Sequence, residues 1–504
     1  MKVKKKNICV FIVICILCSA FLGCNGQTFA QKEGYRGRVF YEIFVRAFND
    51  SNGDGIGDLK GVTQKLDYLK SLGIKGIWLM PINPSPSYHG YDVTDYYTIN
   101  PDYGTLDDYK ELIKEAHKRD IMVIMDLVLN HTSTEHPWFK QAASDKNSKY
   151  RNYYFWSDSS SVEKETSPIS AKPWNKLGNE YYYALFSDGM PDLNYNTKEV
   201  REEMKKAAKF YLGMGVDGFR LDAAKWIFND DVNNIIWWKE FRSYVKSINK
   251  NAVLVGEVWD DADKISIYEE ALDSCFDFPD ADDIVNSVSD SCVTLLAGRL
   301  KDNFDLYKDC SKDFVISPFL TNHDMTRVMS KLDNVDKAKA AAAIYLTLPG
   351  TPFVYYGEET GMEGAKPDEQ IRQPFIWNNK DESKNSSWEA STNEKDKTAV
   401  NVQENDKNSM LNFYNDIINL RNKTDELKYG DFKDLSTKND GVIGYTRTYN
   451  GKTVYVYINV NKEKASENIG IASAEVLYSN KGEGRKLNFK GTFELQSYEI
   501  LIVK

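Results

Sequence analysis

Several apolar runs of this chain finish on polar residues, and the types of those residues point to one kind of chemistry. Asp126, Asn130 and His131 end one run, Arg220 and Asp222 a second, Glu257 a third, and His323 and Asp324 a fourth. Acids brought together with an Arg and two His suit cleavage of a glycosidic bond. That reaction needs one carboxylate to attack or stabilise an oxocarbenium-like centre and one carboxylic acid to protonate the leaving oxygen. Arg220 stands two residues before Asp222, so in a strand both project to the same side and the guanidinium keeps the carboxylate ionised. Glu257 needs a raised pKa to stay protonated. Each residue alone has a plainer use, since an Asp at a strand end is often a helix N-cap. Agreement between separate strand ends favours chemistry. His117, in a charged helical stretch, and His136, in a loop, are read as structural.

For these residues to meet, the runs must be neighbouring parallel strands. Strand-like runs lie at 39–47, 76–81, 121–130, 217–222, 252–258, 275–278, 314–323 and 352–357, with amphipathic stretches such as 106–119 and 200–214 between them. The alternation predicts an α/β fold, a (β/α)₈ TIM barrel, whose reactive side chains come from the C-terminal strand ends. No G-x-G-x-x-G turn follows the first run, which weakens a dinucleotide reading. The third and fourth runs are too far apart for a simple βα unit, so residues 132–198 read as an inserted subdomain. That insertion is rich in aromatics from Trp138 to Tyr183, which are expected to line the cleft as platforms for sugar rings. The catalytic barrel is then 37–131 plus 199–425. Residues 426–504 read as a C-terminal antiparallel β-sandwich, with a hairpin at Asn450-Gly451.

Composition narrows the class further. With 64 Lys+Arg against 74 Asp+Glu the net charge is −10, which argues against a nucleic-acid partner. At the N-terminus, Lys2, Lys4, Lys5 and Lys6 precede an apolar run from Ile8 to Leu22, the layout of a signal peptide. Gly23-Cys24 ends it in the manner of a bacterial lipobox, so residues 1–24 read as an export signal with a lipid on Cys24, and 25–36 as a tether. The only membrane contact expected is through that lipid, on the outer face of a bacterial membrane; release as a secreted protein is the alternative. Cys275, Cys292 and Cys310 allow at most one internal bridge, and free thiols are the default.

The motifs around the strand ends resemble a known family. Asp126-Leu-Val-Leu-Asn130-His131, Gly218-Phe-Arg220-Leu-Asp222-Ala-Ala-Lys225, Gly256-Glu257-Val-Trp259 and Phe319-Leu-Thr-Asn322-His323-Asp324 resemble the four signature regions of the α-amylase family of glycoside hydrolases. Met190-Pro191-Asp192-Leu193-Asn194 resembles its fifth, of the group intermediate between oligo-1,6-glucosidases and neopullulanases. The resemblance implies Asp222 as nucleophile, Glu257 as general acid/base and Asp324 as transition-state stabiliser. It places His89, Tyr91, His131, Arg220, Lys225 and His323 against the substrate. A retaining mechanism on starch or maltooligosaccharides, cutting α-1,4 bonds, is implied, and a monomer is the expected state. An oligo-1,6-glucosidase, an exo-α-glucosidase, a neopullulanase-like or transglycosylating enzyme, and a non-catalytic glucan-binding protein are the alternatives.

Calcium is the expected metal. Asp50, Asn52, Asp54, Ile56 and Asp58 place oxygen donors at every second position of a glycine-rich loop, as Ca²⁺ requires. The EF-hand pattern itself fails, since its twelfth position is Gly61. Some members of the resembling family carry Ca²⁺ in a matching loop. A second, weaker site is implied at Asn130 and Asp192, where Trp226 replaces the His often found after the nucleophile.

Overall fold

In the computed structural model, residues 34–170, 172–311, 315–468, 474–482 and 492–504 are described. The expected export signal, Cys24 and most of the expected tether lie outside them. Strands β1 (Phe40–Ile43), β2 (Gly76–Leu79) and β3 (Met122–Leu127) come first. Strands β4 (Trp156–Ser157), β5 (Trp174–Leu177) and β6 (Glu180–Tyr183) belong to the segment inserted after β3, and β7 (Gly218–Leu221), β8 (Val253–Gly256), β9 (Ser274–Cys275) and β10 (Phe353–Tyr355) follow. One parallel sheet runs in the order β10-β1-β2-β3-β7-β8-β9. Its two edges are joined by the segment around Ser317. Ser317 donates to the Cys275 carbonyl at 2.9 Å on one side, and Thr351 and Phe353 donate to Ile316 and Pro318 at 2.8 and 2.9 Å on the other. These bonds close the barrel.

Three predicted strands are shorter than the sequence pattern. The 314–323 run forms a single bridge at Ser317, because Pro318 has no N–H to extend a ladder; Phe314 lies outside the described residues. The 39–47 run leaves the sheet at Phe44 and turns into the helix Val45–Phe48. The 275–278 run stops at Cys275, since Asp277 caps the helix Phe278–Ser289 by accepting from the Asp280 amide.

Alternation along the strands fixes what faces inward. Phe40, Trp78, Met122, Ile124, Val253, Val255, Phe276 and Phe353 form an apolar cluster in the barrel interior. Continuing each strand by two residues on the same face gives Glu42 after Phe40, Asp126 after Ile124 and Glu257 after Val255. The interior is thus apolar below and acidic at the C-terminal rim. β7 contributes Arg220 on that face after Gly218, where a Cβ would meet the Val253 carbonyl oxygen at 2.0 Å. The helices cover the outside. Leu106–Lys118, for example, is held by a Thr105/Asp108 capping box and buries Tyr109, Leu112, Ile113 and Ala116 at helical spacing.

In the insertion, β4, β6 and β5 form a small antiparallel sheet. Its return zips against its departure: Leu193 donates to the Asn130 carbonyl at 2.9 Å, and His131 and Asp192 form an antiparallel bridge. At the C-terminus, β11 (Asp431–Asp434), β12 (Val442–Tyr449), β13 (Lys452–Asn459), β15 (Val476–Ser479) and β17 (Ile500–Val503) form one sheet. β14 (Ala465–Asn468) and β16 (Thr492–Leu495) form a second. Asn450 and Gly451, at φ 50° and 75°, make the β12–β13 hairpin turn.

Candidate active site

Arg220 is the hub of the acidic rim. One terminal nitrogen lies 2.9 Å from Asp126 Oδ1 and 2.6 Å from Asp222 Oδ1, and the other lies 2.7 Å from Glu257 Oε1. Ala223 takes a left-handed backbone at φ 47°, unusual for a residue with a Cβ, and donates its N–H to Glu257 Oε2 at 2.9 Å. Strain at this position serves the site: it turns an amide onto the carboxyl. Asp126 also accepts from Trp78 Nε1 at 3.3 Å and the Tyr91 hydroxyl at 3.1 Å. His323 lies between two acids, 2.5 Å from Glu42 through Nδ1 and 3.1 Å from Asp324 through Nε2. Arg372 holds the other oxygen of Asp324 at 2.8 Å.

These surroundings separate the carboxyls electrically. Burial raises Glu257, and only partial compensation comes from Arg220. Burial also raises Asp222, again opposed by Arg220, and pushes Asp126 up to about 7. Three acids around one guanidinium cannot all ionise cheaply, so the group retains a proton at neutral pH. For Asp324, burial is outweighed by His323 and Arg372, which hold it well below the usual carboxylate range. His131 is pushed down to about 4 by burial and is a neutral imidazole.

Asp222, Glu257 and Asp324 open onto one cavity of about 660 Å³. His89, Tyr91, His131 and Lys225 line it too, so the predicted residues converge. Arg220 lies buried behind them, with His323 stacked under the Tyr91 ring at 5.5 Å. Lys225 bonds the Trp259 carbonyl at 2.5 Å and Asp260 at 2.9 Å, which fixes its side chain at the cavity edge.

Residues 42–430 match the family described as "Alpha amylase, catalytic domain". The chain belongs to the alpha-amylase family of glycoside hydrolases. Among its relatives, "Alpha-amylase 3" of Dictyoglomus thermophilum is 43% identical over 100% of this chain and 98% of that one. The crystal structure of alpha-amylase from H.orenii superposes with a TM-score of 0.88 at 40% identity, covering 92% of this chain and 99% of that one. "Oligo-1,6-glucosidase" of Bacillus cereus is 30% identical over 89% of this chain and 96% of that one.

The alpha-amylase-family site also contains residues that the sequence reading passed over. Glu42 interrupts the apolar strand β1, and a lone acid on an inward position was the available signal. Asp368 and Arg372 reach the cavity from the single-turn helix Asp368–Ile371 and its C-cap, and Phe186 from a loop, and none carries a local pattern. The aromatic cluster from Trp138 to Tyr183 requires a correction. Trp138 packs on Tyr96 and Tyr153, and Phe139 packs on Trp156 and Tyr182, so these rings build the insertion's core rather than sugar platforms. Burying rings against one another stabilises a small subdomain that lacks other apolar bulk. His136 caps the helix Pro137–Ser144 and His117 pairs with Asp217 at 2.7 Å. Cys275, Cys292 and Cys310 are unpaired thiols.

Among the described residues no group of three or more His, Cys, Asp or Glu side chains is gathered for a metal. In the 50–58 loop, Asp50 accepts from the Gly53 and Gly55 amides at 2.6 and 2.8 Å, Asp54 from Ile56 at 2.8 Å, and Asp58 from Gly61 at 2.7 Å. These bonds shape the loop, and its donors are all hard oxygens, the chemistry that fits Ca²⁺. At the second place, Asn130 Nδ2 bonds the Trp226 carbonyl directly at 2.6 Å. Asp192 accepts from Leu185 at 2.8 Å, and burial pushes its pKa up to about 8. A cation there would relieve an otherwise isolated buried acid.

Proposed function

We propose that this enzyme is a retaining glycoside hydrolase that cuts α-1,4 bonds within starch or maltooligosaccharides. The observation that carries the reading is the Arg220 guanidinium shared by Asp222 and Glu257 at the cavity floor. Such a bridge suits the short carboxyl separation of about 5–5.5 Å used by retaining enzymes. Asp222 attacks the anomeric carbon while Glu257 gives its proton to the departing oxygen, leaving a glycosyl ester on Asp222. Glu257, now ionised, takes a proton from water, which attacks the same carbon and restores both groups. Asp324, kept ionised by His323 and Arg372, accepts from sugar hydroxyls and offsets positive charge in the transition state. His89, Tyr91, His131 and Lys225 orient the ring.

The relative named Alpha-amylase 3 supports the α-1,4 reading. The relative named Oligo-1,6-glucosidase supports the alternative of α-1,6 or exo cleavage. Chromatography of products from soluble starch and isomaltooligosaccharides tests both. Mixed maltooligosaccharides from starch are expected; glucose as sole product, or action on isomaltooligosaccharides alone, would establish the alternative.

The 50–58 loop is proposed to hold Ca²⁺ through Asp50, Asn52, Asp54, the Ile56 carbonyl and Asp58, with Asn130 and Asp192 a weaker second place. Calcium titration of chelated enzyme should give one tight site that Asp54→Ala abolishes, and no binding to the wild type refutes it. Export with a lipid on Cys24 is likewise proposed. Palmitate labelling that persists in Cys24→Ala refutes it.

A further inference from the structure

Glu42 is the acid of β1, 2% exposed, on the inward face beyond Phe40. Its Oε1 lies 2.5 Å from Nδ1 of His323, which has no exposure at all. The other ring nitrogen, Nε2, lies 2.6 Å from the Tyr91 hydroxyl and 3.1 Å from Asp324 Oδ2. An ionised carboxylate only accepts, and a ring nitrogen donates only when it carries hydrogen. A carboxylate at each nitrogen therefore calls for hydrogen on both, which is the imidazolium form. Tyr91 donates its own hydrogen to Asp126 at 3.1 Å, so Nε2 is left to donate to the Tyr91 oxygen and to Asp324, and a neutral imidazole would turn a lone pair toward one of the acids.

We propose, on the basis of the catalytic reading above, that Glu42 is a positioning residue for glycoside cleavage: it holds His323 doubly protonated, so that His323 presents an N–H to Asp324 and to the sugar. The groups around the pair come from every neighbouring element. Tyr355 of β10 faces Glu42. Asp126, Asp222 and Asp324 act on His323 as acids, and Arg220 and Arg372 act on those acids as cations. Trp78 of β2 closes the imidazole edge-on at 5.6 Å. Burial works against the charge on His323, but Asp324 and Glu42 outweigh it and bring its pKa up to about 10. The Asp324 side chain thereby keeps its own charge through the working range. Nothing in the sequence motif around His323 specifies this partner, which comes from β1, a strand 281 residues away in the chain and separated from the Ser317 segment only by β10.

Glu42→Gln keeps the shape of the side chain and removes its charge. The alkaline limb of kcat/KM on maltooligosaccharides should move down by at least about one pH unit, roughly a tenfold loss at pH 8, with activity recovering near pH 5–6. Glu42→Asp should keep the wild-type limb. A direct readout needs no substrate. The chain has five histidines, so ¹⁵N-imidazole spectra are sparse, and His323→Asn identifies the resonance of interest. In the wild type both nitrogens of His323 should remain protonated through pH 8. A neutral His323 at pH 7.5, or a Glu42→Gln profile that overlays the wild type, overturns the proposal. If Glu42→Gln fails to fold, the wild-type spectra decide alone. They also separate failure of this proposal from failure of the glucan-cleaving reading.

Discussion

Asp126, Asp222 and Glu257 surround a guanidinium, whereas Glu358 and Glu359 are surrounded by tyrosines. Both groups stand at the C-terminal ends of barrel strands, the second in the turn that follows β10, and both are buried or nearly so. Glu358 Oε1 accepts from Tyr345 at 2.8 Å and Tyr414 at 2.7 Å, and Glu359 Oε1 accepts from Tyr41 at 2.6 Å and Tyr68 at 2.8 Å. Neither acid forms an ion pair among the described residues. Arg327 spends its bonds on the Tyr356 and Ile371 carbonyls. Burial pushes Glu358 up to about 8, and raises Glu359. A strand-end acid is therefore not reactive by position alone. The first group has a cation to share and a cavity to face. The second has neutral donors and is shut in the core, where Glu358 behaves as a carboxylic acid and burial raises Glu359.

The largest effects should fall on the first group. Glu257→Gln removes the proton donor and should lower kcat by roughly 10²–10⁴-fold, and Asp222→Asn should lower it further, without loss of fold. Steady-state kinetics with circular dichroism as the control decides this. Wild-type turnover by either variant would erase the distinction between the two groups. Arg220→Lys should come next. One ammonium cannot bridge Asp222 and Glu257 as a planar guanidinium does, and the misplacement should cost on the order of 10²-fold in kcat. With less compensation the Asp222 pKa rises further, so the acid limb of the kcat/KM profile should move to higher pH. An unmoved limb would show that Arg220 does not hold the nucleophile's charge.

The sequence made the first group legible and said nothing of the second. Asp126, Arg220, Asp222 and Glu257 sit in local motifs whose alternation puts them on the inward face of the barrel, and Asp324 sits in a motif of its own beyond the Ser317 bridge. Barrel closure was less legible. At Ser317 the eighth connection is a few hydrogen bonds around a proline, which no strand pattern describes. Glu42 could be seen as an anomaly in FYEI, but its partner His323 is remote in sequence and only the closed sheet joins them. Arg372 was invisible because it caps a helix of only four residues, too short to show a period. The aromatic cluster of the insertion was misread for the opposite reason: its composition was plain, while burial, which depends on packing, was not.

Glu358→Gln probes the second group through stability. The folded state holds a proton on Glu358 up to about pH 8, while the unfolded chain releases it near 4.5. Between those values the folded state binds more protons, so this contribution is full below about pH 4.5 and is lost as pH rises through 8. A neutral amide has no such dependence. The melting temperature of Glu358→Gln should therefore fall less steeply than the wild type between pH 5 and 8, with kcat unchanged. Parallel slopes would show that Glu358 is ionised in the fold, and the contrast with Glu257 would weaken.

Tyr414→Phe should give the smallest effect and the finest test of the contrast. It removes one of the two hydroxyls that donate to Glu358 and leaves Tyr345 in place. Loss of a buried hydrogen bond to an acid that keeps its other donor should cost about 1–2 kcal/mol. In a chain of this size that is on the order of 1–2 °C in thermal unfolding. The sign of the pH effect is fixed by the same bond. Tyr414 lowers the Glu358 pKa by donating to it, so its removal should push that pKa higher and carry the pH-dependent loss of stability to more alkaline values. A neutral acid held by tyrosines predicts that shift. An ionised Glu358 predicts a larger loss, since an anion would be stripped of a donor with no cation to replace it. Thermal unfolding of Tyr414→Phe from pH 5 to 9 distinguishes the two.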